Sequence, residues 1–238
     1  MYKQEVIFKD LGHIPYKQAW DYQEQLLQQA VQSKIQQAKG METILQPHHL
    51  LLCEHPPVYT LGKSGHLENI LISEADMAAQ GIEFFKTNRG GDITFHGPEQ
   101  VVGYPILDLE KFYTDIGRYL RELEEVIILT MGEYGLKGER SSGETGVWID
   151  PGVKGSERKI CAMGVRCSRW VTMHGFALNV NTNLGYFDNI IPCGIANKRV
   201  TSLQQELGCN VDIVEVKEKI CRNFEQVFNT RLLYGYMT

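Results

Sequence analysis

No apolar run in the 238 residues approaches the roughly 20 that a membrane-spanning helix needs, and the opening Met1-Tyr2-Lys3-Gln4-Glu5 lacks the apolar core of a secretory leader. The expectation is a cytosolic protein with no membrane partner. Strong charge of one sign is missing too: the formal net charge is -5, and Lys and Arg are scattered instead of forming the basic footprint of a nucleic-acid binder. DNA and RNA are not expected partners. The six cysteines, at positions 53, 161, 167, 193, 209 and 221, include no C-x-x-C pair, and the chain is neither short nor marked for secretion. That argues against a disulfide framework or a metal site, and no metal or cofactor is expected. No low-complexity linker or internal repeat divides the sequence, so one domain over residues 1–238 is expected.

What is present suits an enzyme-sized body: 43% of residues are hydrophobic, enough to bury a substantial core. Helical and strand patterns alternate, which predicts an α/β or α+β domain. After Pro15, the stretch Tyr16 to Gln37 carries Trp20, Leu27, Val31 and Ile35 at helical spacing. Leu50 to Glu54 and Val58 to Leu61 read as strands, and Pro56-Pro57 between them implies an edge or a break. Ser73, with Asp76 three residues on, opens a short helix that Gly81 can close, and Ile82 to Thr87 reads as a strand. Thr114 to Tyr134 predicts a helix capped by Thr114 or Asp115. Gly146 to Ile149, Lys159 to Val165 and Val171 to Val180 read as strands, and Val214 to Asn229 as a terminal helix. Cys53 and Cys221 fall among apolar neighbours and read as buried thiols that act as small hydrophobes.

Four segments carry chemistry-bearing residues. In Arg89-Gly90-Gly91-Asp92-Ile93-Thr94-Phe95-His96-Gly97-Pro98, glycines allow positive φ and close backbone approach, while Arg89 and His96 offer charge and a proton-exchanging group. The same string also suits a tight hairpin with a surface arginine, and it is not a nucleotide P-loop. Lys159 opens an apolar strand through Ala162, Met163 and Gly164, where it is either solvated or placed to stabilise an anion. His174-Gly175-Phe176-Ala177 lies on a strand with one core face, and His174 by itself reads as a structural histidine as readily as a catalyst. Cys193 sits between Pro192 and Gly194 on a turn, a better setting for a nucleophile than a helix stripe, or else an incidental thiol.

The order and wording of these segments resemble the lipoyl (octanoyl) transferase family. Its loop signature, approximately R-G-G-x-x-T-[FY]-H-x-P-G-Q, matches Arg89 to Gln100 and is followed by Val101-Val102-Gly103-Tyr104-Pro105-Ile106. Thr145-Gly146-Val147-Trp148, Lys159 with Gly164-Val165-Arg166, His174 to Asn179, Ile191-Pro192-Cys193-Gly194 and Val200-Thr201-Ser202-Leu203 follow in the family's order, covering roughly Leu50 to Leu207.

The resemblance implies the α/β biotin/lipoate ligase-like fold, class II synthetase-like, with a mixed sheet and flanking helices. It implies transfer of an octanoyl group from octanoyl-acyl carrier protein to a lysine of lipoyl domains, those of 2-oxoacid dehydrogenase complexes and the glycine cleavage H protein, by a monomer. Cys193 would attack the donor thioester, and Lys159 would favour its thiolate. Substrate contacts carry over to Arg89, Gly90, Gly91, Asp92, Ile93, Thr94, Phe95 and His96, to Ala162, Met163 and Gly164, and to Gly175, Phe176 and Ala177, where small residues are expected to leave room for a chain. The sequence departs from the signature at Glu99, where the family usually has glycine; glutamate would be strained there if the position needs positive φ. The loop Asp150 to Arg158 is longer and more charged than the pattern and could touch the carrier protein. An ATP-dependent lipoate or biotin ligase shares the implied fold, but Cys193 and the absence of three consecutive glycines argue against it. The joint presence of Lys159 and Cys193 argues against a silent acyl-chain binding protein.

Overall fold

The computed structural model describes residues 3–44, 46–191 and 199–234. Cys193 and its neighbours Pro192 and Gly194 lie outside them. The elements run β1 (Gln4–His13), α1 (Tyr16–Ala38), β2 (His48–Glu54), β3 (Val58–Leu61), α2 (Glu74–Ala79), β4 (Glu83–Lys86), β5 (Ile93–His96) and β6 (Gln100–Ile106). After these come α3 (Ile116–Gly132), β7 (Val147–Ile149), β8 (Arg158–Ser168), β9 (Val171–Asn179), β10 (Arg199–Val200), α4 (Leu203–Leu207), α5 (Ile213–Val227) and β11 (Thr230–Tyr234).

The large mixed sheet has the order β10-β8-β9-β6-β2-β1-β11, with β7 also on β8; β4-β3-β5 form a second, smaller sheet. The double proline is a break: β2 lies inside the large sheet and β3 inside the small one. β2 has no polar alternation because both its faces are covered. Leu50 and Leu52 pack into the core under α3 and α5, while Leu51 and Cys53 pack under α1. Each of these leucines is fully buried, contributing about 1.5–3 kcal/mol.

Helix ends follow the expected capping chemistry. Ser73, Asp115 and Asp212 accept the backbone N–H of Asp76, Arg118 and Val214. In α3 the buried stripe Tyr119, Leu123, Val126, Ile127 and Met131 also contains Glu124, a carboxylate with no exposure. Burial raises its pKa on balance, against the opposing pull of the Gly146 N–H, Arg121 and Arg140. Through Gly146, Glu124 pins the 140–146 segment to α3. Among the described residues no helix is long and apolar enough to cross a membrane.

Two irregularities shape the region of interest. Pro105 stands inside a central strand, a position where proline removes a ladder hydrogen bond. The β6–β9 register ends at Gly103↔Phe176; continued, it would set Pro105 opposite His174. There the ladder opens: His174 takes φ 58, its N–H donates to Gln23 Oε1 on α1, and the Pro105 carbonyl accepts from Thr172 Oγ1. His174 thereby turns toward α1 and Trp20.

Candidate active site

A cavity of about 660 Å³ lies around β8, between the 89–94 segment, α3 and the 143–145 segment. The segment expected as a substrate loop is loop only as far as Asp92, since Ile93–His96 is strand β5, paired to β3. The Arg89 carbonyl accepts from Lys63 N, and the Gly91 carbonyl from Ser64 N. Gly90 N donates to the Val165 carbonyl, so the loop lies along the edge of β8.

Of the expected substrate residues, Arg89, Gly90, Gly91, Asp92, Ile93, Thr94, His96, Ala162, Met163, Gly164, Gly175, Phe176 and Ala177 line the cavity, as does Lys159. Phe95 does not: it points into the small-sheet core, stacked on Tyr186 with centroids 4.5 Å apart. β-strand alternation puts it on the face opposite Thr94 and His96. The glycines also differ from the room-for-a-chain expectation. A Cβ on Gly175 would stand 2.2 Å from the Gly103 carbonyl oxygen, and one on Gly164 2.7 Å from that of Gly90. These positions serve close backbone packing, which fixes the cavity wall.

Lys159 lines the cavity and is half-buried, its Nζ 4.6 Å from the centroid of its cross-strand neighbour Trp148. On the other edge it pairs with Val200 of β10, and Thr201 N donates to the Lys159 carbonyl.

A directed chain of hydrogen bonds crosses the site. Arg89 Nη2 donates to Thr60 Oγ1 at 3.0 Å, and His96 Nε2 lies 3.3 Å from that oxygen. His96 Nδ1 meets Gln100 Oε1 at 2.9 Å, Gln100 Nε2 donates to Asn179 Oδ1 at 2.8 Å, and Asn179 Nδ2 donates to the Thr201 carbonyl at 2.9 Å. A guanidinium can only donate and a carbonyl only accept, and Gln100 Nε2 also meets the Phe95 carbonyl, so every amide orientation follows. His96 is then the Nδ1–H tautomer, with Nε2 accepting from Thr60. Burial, followed by the charges near His55 and Arg89, holds its pKa well below 6.5. His96 is therefore a neutral strut here, not the proton-exchanging group that its sequence context suggested. His174 is likewise neutral, lowered to about 3 by burial and by Arg89 and Arg166.

Glu99 does occupy a left-handed position, φ 61. Its N–H donates to Glu54 Oε2, its carbonyl accepts from Asn181 N and Thr182 Oγ1, and its carboxylate accepts from Asn181 Nδ2. Side-chain bonding that glycine would lack offsets the backbone strain.

Residues 15–225 match the lipoyl protein ligase A/B catalytic domain family. The chain belongs to that family. It is 60% identical to an octanoyltransferase of Flavobacterium psychrophilum over 94% of this chain and 97% of that one. It is 58% identical to an octanoyltransferase of Christiangramia forsetii over 97% and 98%. With relatives so named along nearly its whole length, the chain is an acyltransferase. Among solved structures it is similar to a bi-partite lipoate protein ligase of Thermoplasma acidophilum, TM-score 0.70 at 17% identity over 99% of this chain and 88% of that one. That likeness fixes the expected ligase-type fold.

Sequence reasoning missed Tyr16, Tyr104, Gln100 and Asn179 as site residues, all of which line the cavity. Gln100 and Asn179 each end a matched motif, which was a usable signal. Tyr16 had none, because it reads as the first residue of a packing helix.

Proposed function

We propose that this acyltransferase moves an octanoyl group from octanoyl-acyl carrier protein to the ε-amine of a lysine on lipoyl domains, such as those of 2-oxoacid dehydrogenase complexes and the glycine cleavage H protein. The observation that carries the reading is Lys159 lining the same cavity as the apolar Met163, Phe176, Ile116 and Leu120. Ile191, two residues before Cys193, has its N–H on the Asn69 carbonyl, and Val200, seven residues after it, pairs with Lys159. Asn69 in turn donates to Asp92 of the cavity wall, so one flank of that segment is tied beside Asp92 and the other beside Lys159, which supports the reading.

In the first step the Cys193 thiolate attacks the thioester carbonyl, an acyl-Cys193 thioester forms, and the carrier thiolate leaves and takes up a proton. In the second, the acceptor amine attacks that thioester, an amide forms and the Cys193 thiol is restored. The Lys159 ammonium favours the thiolate and the developing oxyanion. The catalytic unit is residues 1–238, acting as a monomer in the cytoplasm.

Intact-mass analysis after mixing with octanoyl carrier protein, without ATP, tests this. An octanoyl adduct is expected on the wild type and none on Cys193→Ser, with Lys159→Ala slowing its formation at least about 100-fold, the scale of lost charge assistance. A requirement for free octanoate and ATP would overturn the reading in favour of a ligase.

A further inference from the structure

The Glu124 side chain has no exposure, and its two oxygens meet three donors. Gly146 N–H reaches Oε1 at 3.0 Å, while Arg121 Nη1 at 2.8 Å and Arg140 Nε at 3.1 Å reach Oε2. Both oxygens therefore accept. Burying an acid among these partners costs desolvation, and a well-packed apolar side chain of similar volume is often as stable or more so. What the acid supplies that an apolar residue would not is direction.

That direction is imposed on the 140–146 segment at both ends. Arg140 opens the segment and Gly146 closes it, and Gly143, Glu144 and Thr145 between them line the same cavity as Lys159. The Arg121 and Arg140 side chains are 44% and 36% exposed, so the enclosed part of this knot is Glu124 with the buried Gly146.

Gly146 carries the restraint on to the lysine. It takes φ 116, and a Cβ built on it would stand 2.5 Å from the Cys161 carbonyl oxygen and 3.6 Å from Lys159 Cε. The chain at Gly146 thus lies alongside the lysine stem. Two residues on, Trp148 pairs with Lys159 across the strands and sets its ring 4.6 Å from Nζ. The β7–β8 register shifts just here, passing from Cys161 to Lys159 without Ile160. A bulge disrupts the ladder locally and re-aims side chains, so the aim of Lys159 depends on a tie from outside the sheet.

We propose that Glu124 is a positioning residue for acyl transfer: through the Gly146 N–H it holds the 146–148 wall against which Lys159 aims its ammonium. Glu124 itself does not line the cavity, so it acts through the lysine and not on the acyl group. The proposal rests on the role given to Lys159 above.

The test measures the rate constant for octanoyl transfer from octanoyl carrier protein onto the enzyme, read by intact mass in a single turnover. Glu124→Leu and Glu124→Gln are each made in the wild-type and the Lys159→Ala backgrounds. With Lys159 present, Glu124→Leu should slow transfer about tenfold or more, within the roughly 100-fold that a misplacement of about 1 Å can cost. The carrier concentration giving half the maximal rate should change less than about twofold, because the loss lies in the chemical step. Glu124→Gln keeps an oxygen for the Gly146 N–H and should recover most of the rate. In Lys159→Ala neither change should slow transfer further, since residues that act through one group are not additive. Glu125→Gln, whose carboxylate meets Arg140 at 2.6 Å but is 39% exposed, should leave the rate unchanged in both backgrounds.

Equal slowing in both backgrounds, which a general structural defect would give, overturns the proposal. So does an unslowed Glu124→Leu, or a Glu124→Gln as slow as Glu124→Leu. If Glu124→Leu does not fold, Glu124→Asp, too short to reach Gly146 and both arginines at once, decides the same comparison. A wild type that takes up no octanoyl group, or a Lys159→Ala that takes it up as fast, would instead remove the acyl-transfer reading beneath it.

Discussion

Asn179→Leu removes the link through which the chain of hydrogen bonds from Arg89 reaches Thr201. The side chain is 4% exposed, so water cannot readily replace it. Two groups lose their partners: the Thr201 carbonyl, in a residue with no exposure, and Gln100 Nε2, which keeps only the longer 3.2 Å contact to the Phe95 carbonyl. A buried polar group left unsatisfied costs about 1–3 kcal/mol, so the pair should cost about 2–4 kcal/mol once the surviving contact is credited. For a chain of this size that is a fall in Tm of roughly 5–15 °C. Urea denaturation should show the midpoint falling with an unchanged slope, since the exposed surface does not change. Because Thr201 N–H rests on the Lys159 carbonyl, acyl transfer should fall by more than the unfolded fraction accounts for. His96 would lose the fixed acceptor on Nδ1, and the imidazole nitrogen spectrum should show a tautomer mixture in place of a single Nδ1–H form. A destabilisation under about 1 kcal/mol, or an unchanged imidazole spectrum, would refute the chain as described.

Three other outcomes follow from the packing and the charges. Gly175→Ala puts a methyl against the Gly103 carbonyl and Pro105 Cδ, neither of which can swing aside, and should cost at least about 2 kcal/mol with a loss of acyl transfer, while Gly132→Ala, open at the end of α3, should be neutral or stabilising; equal effects in calorimetry would contradict this. Stability should be fully present above pH 6.5 and decline as pH falls toward 4, because the unfolded chain protonates its histidines near pH 6.5 whereas burial lowers His48, His49 and His55 to about 4 and His174 to about 3 in the folded one; urea titrations flat from pH 7.5 to 5 would rule that out. Arg169→Gly should raise stability by about 0.5–1 kcal/mol, because Arg169 and Trp170 both hold positive φ at the β8–β9 hairpin, a turn that suits glycine; a lower Tm would show that the arginine side chain matters more than its backbone strain.

The helices were legible because their stripes and caps are local: Ser73 and Asp115 start helices where cap chemistry says they should. β6 was not read as a strand, and Pro105 within it is a residue that central strands seldom hold. The compensating break at His174 lies 69 residues away and shows in no local pattern. β1 was missed for a different reason: in the run QEVIFKDLGH only Val6 is buried, so there is no clean alternation to read. At the site, ordered motifs brought Lys159 and the Arg89 segment together in expectation, and the cavity gathers them. The direction of Phe95 and the neutrality of His96 depend on strand phase and burial, which a motif does not encode. Cys193 lies outside the described residues.

The register of β1 has a consequence for how the chain is made. Gln4 to Phe8 lie beside Thr230 to Tyr234 in parallel, while their other edge is covered by β2. During synthesis β1 can find β2 within the next few dozen residues, whereas its second neighbour, β11, is made well over a hundred residues later. Until then one edge of β1 offers unpaired backbone to any strand it meets, including that of a second nascent copy. The charged residues along it, Glu5, Lys9 and Asp10, are the kind that discourage such pairing.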